Sequence, residues 1–351
     1  MGSGSHGTRG LFESIRDSVR AAHFDLIRHA MKSLSPWLAD GEDVNPHRIR
    51  PVLWVVRTGK HERLFRIARL LDGLPPSPGF GRRIRFLVVD AGNPSPEGTP
   101  RLIGAIGLQS PPIAFPPRDR LFRYPPGMKR VRINQTMDIH TLTAVPPYCF
   151  LMAGKLLTML AASNEVRLEY RQKYEGRRTV LNDTVIPPHL VALTVVTAPG
   201  RTSCYRGLAV GGFRLSELIG WTTGYGTFHL DPFYERLRAI LRARGLLPRN
   251  GFEGGPRLKW QNITRALRMI GLSSEIMRHG IRLPVFLIRT VRNLEEFMEN
   301  PGVSPDYLDL PADLLVETWK EKWLHPLLRR WDAWRRWRWE NIWNPNGGSA
   351  G

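Results

Sequence analysis

The most explicit set of reactive side chains in the sequence is the run Arg201-Thr202-Ser203-Cys204-Tyr205-Arg206. Guanidinium groups at 201 and 206 flank the phenol of Tyr205, and such neighbours lower a phenol pKa and stabilise a developing oxyanion or phosphorane. Tyr205 is therefore a candidate for attack on phosphate or for proton donation; the plainer alternative is a tyrosine that anchors a short helix over Ser203–Val210. Asp138 and His140 alternate onto one face of a short strand, and His229 with Asp231 repeats that spacing. Asp138, His140 and Asp231 are thus the candidate ligands for a divalent ion, against the alternative that they satisfy local hydrogen bonds at strand ends. The sequence holds no Walker loop, no paired Cys ligands and no nucleophile elbow.

The second chemical signal is charge. Fifty-one Lys and Arg against 31 Asp and Glu leave +20 over 351 residues, a self-repulsion that an anionic partner would relieve. Nucleic acid is the commonest such partner; solubility alone, or an anionic membrane surface, are the alternatives. The cations fall in runs: Arg82, Arg83 and Arg85; Lys129, Arg130 and Arg132; Arg171, Lys173, Arg177 and Arg178; Arg236, Arg238, Arg242 and Arg244. The candidate nucleic-acid contacts are Arg130, Arg132, Lys155, Arg171, Lys173, Arg177, Arg178, Arg201, Arg206, Arg335 and Arg336. Runs of this kind contact phosphates without reading sequence, so binding through them falls steeply with salt. In the tail, Trp331, Trp334 and Trp337 recur at helical spacing among Arg330, Arg335, Arg336 and Arg338. The indoles suit either base stacking or, the favoured reading, packing of the tail onto the body with arginine stems at the rim.

These side chains need elements to position them. The apolar spacing Leu11, Ile15, Val19, Phe24, Ile27 and Met31 predicts one or two amphipathic N-terminal helices. Ile84–Asp90 and Leu102–Leu108 read as an antiparallel strand pair, Met137–Val145 as a further strand and Leu190–Val196 as a buried one; Arg50–Arg57 is left open between strand and helix. Prolines in Pro111–Arg132 predict an ordered loop or lid. Tyr148–Tyr174 reads as one long helix, apolar all round in its first half. Asp231 is placed as the N-cap of a helix reaching Arg244, followed by the link Gly251–Pro256, a helix over Asn262–Met269, a strand over Val285–Ile288 and a helical tail from Leu314 to Trp343. The alternation of strands and helices predicts an α/β fold, a mixed-sheet core with N-terminal and C-terminal helical additions. The expected domains are an N-terminal helical region 11–75, the α/β core 76–230 and a mainly helical region 231–343.

Cys149 and Cys204 are the two cysteines, so no disulfide framework is expected and a reducing compartment, the cytoplasm, fits. No apolar run approaches the ~18 residues of a membrane span. The Gly- and Ser-rich ends, Met1–Gly10 and Asn346–Gly351, are left out of fold reasoning.

The order of several segments is similar to the DruA family: Leu102-Ile-Gly-Ala-Ile-Gly-Leu-Gln-Ser, Arg118-Asp119, Val145-Pro-Pro-Tyr, Ala153-Gly-Lys-Leu, Thr194-Val-Val-Thr and Thr202-Ser-Cys-Tyr205-Arg. Gly224-Tyr-Gly-Thr-Phe-His229, Arg278-His279-Gly280-Ile281 before Pro284-Val285, and Trp319 with Trp323-Leu324 extend the likeness over about residues 50 to 330. The resemblance implies a role in anti-phage defence or a mobile element, with DNA rather than RNA as partner, other defence or mobile-element proteins beside it, and no membrane. It adds Arg118, Asp119 and His229 to Tyr205 as catalytic candidates for DNA strand cleavage or transfer. The core also resembles the GNAT acyltransferase topology, which implies acyl-CoA as an alternative substrate. The bulky Tyr148-Cys-Phe-Leu-Met-Ala-Gly run departs from that superfamily's pyrophosphate loop, so a GNAT-like scaffold turned to nucleic acid is the expectation; a non-catalytic DNA-binding adaptor is the third reading.

Overall fold

The structure is a computed structural model and describes residues 17–73, 79–179, 183–197, 201–247 and 256–340. By compactness these divide into one unit holding the chain up to Ile219 and from Phe286 on, and a second, Gly220–Val285. The boundary read at 230/231 falls inside the second unit.

The first unit is built on a sheet of mixed direction. Its strands are β1 (Pro51–Val55), β2 (Arg83–Asp90), β3 (Arg101–Gln109), β4 (Thr136–Ala144), β5 (Ala192–Val196), β8 (Ser216–Trp221) and β9 (Pro284–Arg289), in the order β1-β2-β3-β4-β5-β9-β8; β6 (Ala209–Val210) and β7 (Phe213–Arg214) form a separate pair. The joins from β1 to β4 are antiparallel, and β4 meets β5 in parallel over three registered pairs, Thr136–Asp138 with Ala192–Thr194. The α/β class is as the alternation of elements predicted.

Both faces of the β2–β4 region are covered, which is why these strands read as nearly continuous apolar runs. Ile84, Phe86 and Val88 pack with the residues of α3 (Ala153–Ala161), whereas Leu87 and Val89 pack with α2 (Gly59–Leu71) and α1 (Phe24–Leu34). Asp90 ends β2 as a buried anchor: its carboxylate accepts from Arg50 N (2.9 Å), Gly92 N (2.9 Å), Asn93 Nδ2 (2.7 Å) and the Tyr148 hydroxyl (3.0 Å). A carboxylate so fully hydrogen-bonded tolerates burial.

Several expectations are corrected by local chemistry. The long helix over Tyr148–Tyr174 is interrupted: a 3-10 turn at Tyr148–Leu151 leads into α3, every residue of which is buried, and α4 (Asn164–Tyr174) starts anew where the Ser163 side chain accepts from Val166 N. Ser163 is an N-cap, which is what a helix start needs. The Pro-rich passage contains helical turns at Pro116–Asp119 and Lys129–Asn134. Ser203–Val210 is a 3-10 turn at Thr202–Cys204 followed by β6, not a helix. The helix placed from Asp231 begins as α5 at Tyr234 after a 3-10 stretch, and α6 is longer than expected, Pro256–Met269. The tail is not one helix: α7 (Ala312–Trp319) runs through a π turn into His325–Leu328, and Ala333–Arg336 is a separate 3-10 turn. Its tryptophans do pack on the body: Trp334 is buried, and the Trp339 indole donates to Ala39 O at 2.8 Å. Leu11 and Ile15, the turn at Pro199-Gly200, the link up to Gly255 and Trp343 lie outside the described residues.

Candidate functional site

One end of the β2–β4 face is polar rather than apolar. Register places Arg83 opposite Gln109, Gln109 opposite Asp138, and Asp138 opposite Thr194, so one polar row crosses four strands. Directly opposed residues share a face of the sheet, so the row is continuous. His140 sits at the next step of β4, where a bulge shifts the β3–β4 register. Gly107 makes room for it: a Cβ there would lie 2.7 Å from His140 Nε2 and 2.9 Å from the Phe65 ring.

Cations gather at this end. Arg82 donates to Asn134 O (3.0 Å) and the Tyr170 hydroxyl (2.6 Å), and its guanidinium lies 5.2 Å from the Tyr174 ring centre. Lys173 Nζ donates to Arg83 O at 2.8 Å, and the Tyr174 hydroxyl accepts from Arg83 N at 2.6 Å. Arg85 pairs with Glu62 through two bonds of 2.7 and 2.5 Å. Burial lowers the Lys173 ammonium; Glu169 opposes the shift, while Arg85, Arg177 and Arg83 deepen it. His140 is pushed down to about 3 by burial and by Arg69, Arg85 and Arg83, so its ring is neutral. Arg69 Nη1 lies 3.1 Å from His140 Nδ1, which makes Nδ1 the acceptor and leaves the proton on Nε2.

A second centre surrounds Arg118, whose side chain is fully buried. Its Nε and Nη2 donate to Asp119 Oδ1 (3.0 and 2.7 Å), and Nη2 also donates to Pro112 O (2.9 Å). Asp119 accepts in addition from Phe115 N (2.8 Å) and Lys129 Nζ (3.0 Å). Burial pushes the Asp119 carboxyl up, but the Phe115 N–H, Arg118 and Lys129 together hold it below the usual range. Arg118 Nη1 and the Tyr124 hydroxyl are buried and have no hydrogen-bond partner among the described residues. Asp138 takes a hydrogen bond from the Thr194 hydroxyl. Burial raises its carboxyl to about 7, with the positive charge of Arg118 opposing the rise. A carboxyl that exchanges its proton near neutrality can serve as acid or base.

The remaining candidates lie elsewhere. Tyr205 is 5% exposed and its ring stacks on Phe286 at 5.9 Å. Burial raises its phenol, Cys204 adds to the rise, and Arg201 only opposes it, so the expected lowering is reversed. Arg201 pairs instead with Asp72. Lys155 is buried and donates to Ser203 O and Arg206 O at 2.7 Å each. Arg132 is likewise buried: it donates to Asn300 O at 2.6 Å, and its guanidinium lies 3.9 Å from the Phe297 ring centre. Arg130, Arg171, Arg177, Arg178, Arg206, Arg335 and Arg336 are exposed, with Arg171 paired to Glu175 and Arg178 to Asp183. His229 belongs to the second unit, where its Nε2 is 2.8 Å from Ile276 O and its ring 5.7 Å from that of His279. Among the described residues no three His, Cys, Asp or Glu side chains converge to hold a metal ion, and the Asp231 side chain lies outside them. The Arg69 guanidinium at the His140 ring is an unfavourable neighbour for a cation.

Residues 8–300 match the family model described as Druantia protein DruA. The chain belongs to the DruA family. A relative, Druantia protein DruA of Escherichia coli (strain UMEA 4076-1), is 30% identical over 340 residues, covering 94% of this chain and 83% of its own length. No solved structure matches. In this DruA-family chain Tyr124 and Thr194 were not singled out as site residues and Lys129 was read only as one of a run of cations; Thr194, at the same strand level as Asp138, becomes legible once the parallel join is known. No helix among the described residues is long and apolar enough to cross a membrane.

Proposed function

We propose that this protein binds DNA in the cytoplasm through the cationic end of its sheet, in the service of anti-phage defence or a mobile element. The observation that carries this reading is the gathering of Arg82, Arg83, Lys173 and Arg177 around one strand end, beside Arg85 in its pair with Glu62; burial above all, and then the like charges of Arg85, Arg177 and Arg83, depress the Lys173 ammonium there. Holding cations against their mutual repulsion favours binding a polyanion there. Labelled single- and double-stranded DNA, titrated across salt, tests it: affinity is expected at low salt and falls steeply as salt rises, and no binding at low salt would overturn the reading.

A second reading, cleavage or transfer of the bound strand, draws on Asp138. Its proton exchanges near neutrality, it stands in the same polar row as Arg83, and Arg118 and Thr194 act on it. This role falls to Asp138 more readily than to Tyr205, whose phenol is raised and enclosed. A covalent DNA adduct abolished by Tyr205→Phe would reverse that preference. The acyl-CoA alternative is disfavoured by the first turn of α3. A Cβ on Gly154 would lie 2.5 Å from Cys204 Sγ, so the Cys204 side chain already crowds the turn whose backbone N–H groups a pyrophosphate would need. Heat released on titrating acetyl-CoA would reinstate it. An adaptor role, recruiting other defence proteins without turnover, predicts complexes that form without DNA.

A further inference from the structure

The second unit, Gly220–Val285, has a core of its own, made of Leu237, Leu241, Ile263, Ala266, Leu267 and Met277. It carries eleven Lys and Arg against four Asp and Glu. Its longest helix, α6, is packed through Asn262, Ile263, Ala266 and Leu267, and Asn262 Nδ2 donates to the Tyr234 hydroxyl of α5 at 3.2 Å. On the opposite side Gln261, Arg265 and Arg268 are exposed at i, i+4 and i+7 and so form one stripe. The helix contains no acidic residue. Arg265 gives one donor to Leu246 O at 3.1 Å and keeps the other side of its guanidinium.

We propose that α6 lies in the major groove of DNA and reads base edges with Gln261, Arg265 and Arg268, so that this unit supplies the sequence selectivity that phosphate contacts lack. The inference rests on the DNA binding proposed above. A major groove admits an α-helix, arginine pairs with guanine O6 and N7, and glutamine pairs with adenine N6 and N7. Seven residues of helix rise by about 10 Å. That spans roughly three base-pair steps at ~3.4 Å each. Charge complementarity alone would suit an acidic protein as well; the neutral glutamine within the stripe adds nothing to recognition of carboxylates, whereas it is a bidentate reader of adenine. An A-form RNA duplex has a major groove too deep and narrow for the same contact.

The full chain is used to select bound duplexes from a randomised pool, and anisotropy then compares the selected duplex with a scrambled one. The wild type is expected to prefer the selected sequence by at least about tenfold. Combining Gln261→Ala, Arg265→Ala and Arg268→Ala should erase the preference while binding to the scrambled duplex stays within a few-fold. A wild type that binds DNA with no preference, or a preference that survives the triple substitution, overturns the inference and leaves the binding reading intact; no binding to any DNA overturns both. Should the triple variant fail to fold by circular dichroism, Arg268→Lys replaces it: the charge stays and the bidentate geometry goes, so the preference at one guanine must drop, and an unchanged preference overturns the assignment. Equal competition by an RNA duplex of the selected sequence also overturns it.

Discussion

Around Asp119 the central cation, Arg118, is enclosed. The guanidinium is buried, Asp119 takes two of its bonds, and Lys129 closes the other carboxylate oxygen. At the sheet end around Arg83 the pattern differs: Lys173 is half-buried, Arg177 is exposed, and the phenol of Tyr170 holds Arg82 without neutralising it, while Glu62 pairs with Arg85. Two regions of similar composition thus put positive charge to different uses, one internal and one available to an outside anion. A net charge of +20 is therefore not a count of phosphate contacts. Buried Arg132 and Lys155 belong with Arg118 in this division, because burial, on top of bonds to carbonyls of their own chain, withdraws their charge from an outside anion.

The largest effect that could break this comparison is on stability. Arg118→Ala leaves the Asp119 carboxylate with Phe115 N and Lys129 as its remaining partners and opens a cavity. Breaking a buried pair by removing one member costs about 3–5 kcal/mol. Urea unfolding should show a loss of that order, whereas Arg177→Ala at the exposed end should stay within about 0.5 kcal/mol of wild type. Comparable values for the two would erase the distinction.

Asp138 and His140 sharpen it through pH. Asp138 titrates at about 7 in the folded chain, against an unfolded value near ~4, so unfolding releases a proton between those limits and stability falls as pH rises through them. His140 is lowered to about 3 from an unfolded value near ~6.5, so unfolding takes up a proton in that window and stability falls as pH drops. The two slopes oppose each other where the windows overlap, at up to about 1.4 kcal/mol per pH unit each. Asp138→Asn should therefore gain stability relative to wild type as pH climbs from about 4 to 7, and His140→Gln should gain as pH falls from about 6.5 to 4. Urea midpoints at three pH values check both signs; a variant whose difference from wild type is flat removes its group from the argument.

Much of the sheet was legible in the sequence, since β2, β3, β4, β5 and β9 are short apolar runs bounded by turn residues. The break at Ser163 was missed because α3 and α4 join through two residues and the apolar pattern of the first masks the cap of the second. The candidate site was half legible. Asp138 stood out by type and spacing, and Arg118 and Asp119 through the family resemblance, but which cations are internal is decided by three-dimensional partners such as Asn300 O for Arg132 and Asp72 for Arg201. Local sequence cannot supply those. The burial of Tyr205 was hidden for the same reason: adjacent arginines say nothing about Phe286 stacking on the ring.

Salt dependence of DNA binding is the next test of the division. Replacing Lys173 by Gln and Arg177 by Ala should each lower the magnitude of the log K against log salt slope by about 0.9 if each meets one phosphate. Lys155→Met, by contrast, should reduce stability and leave that slope alone, because its ammonium is engaged with Ser203 and Arg206 carbonyls. A slope that shifts with Lys155 and not with Arg177 would invert the assignment of the two classes.

The smallest effect concerns how far the available charge extends. Arg178 follows Arg177 and is exposed, yet it holds Asp183 at 3.0 Å. An exposed pair of this kind contributes about 0.2–1 kcal/mol, so Arg178→Ala should hardly move the unfolding midpoint. Its effect on the salt slope should also be smaller than that of Arg177→Ala, because Asp183 already neutralises part of the charge a phosphate would meet. An equal effect would mean that the Arg178–Asp183 pair opens when DNA binds, and Asp183→Asn should then tighten binding.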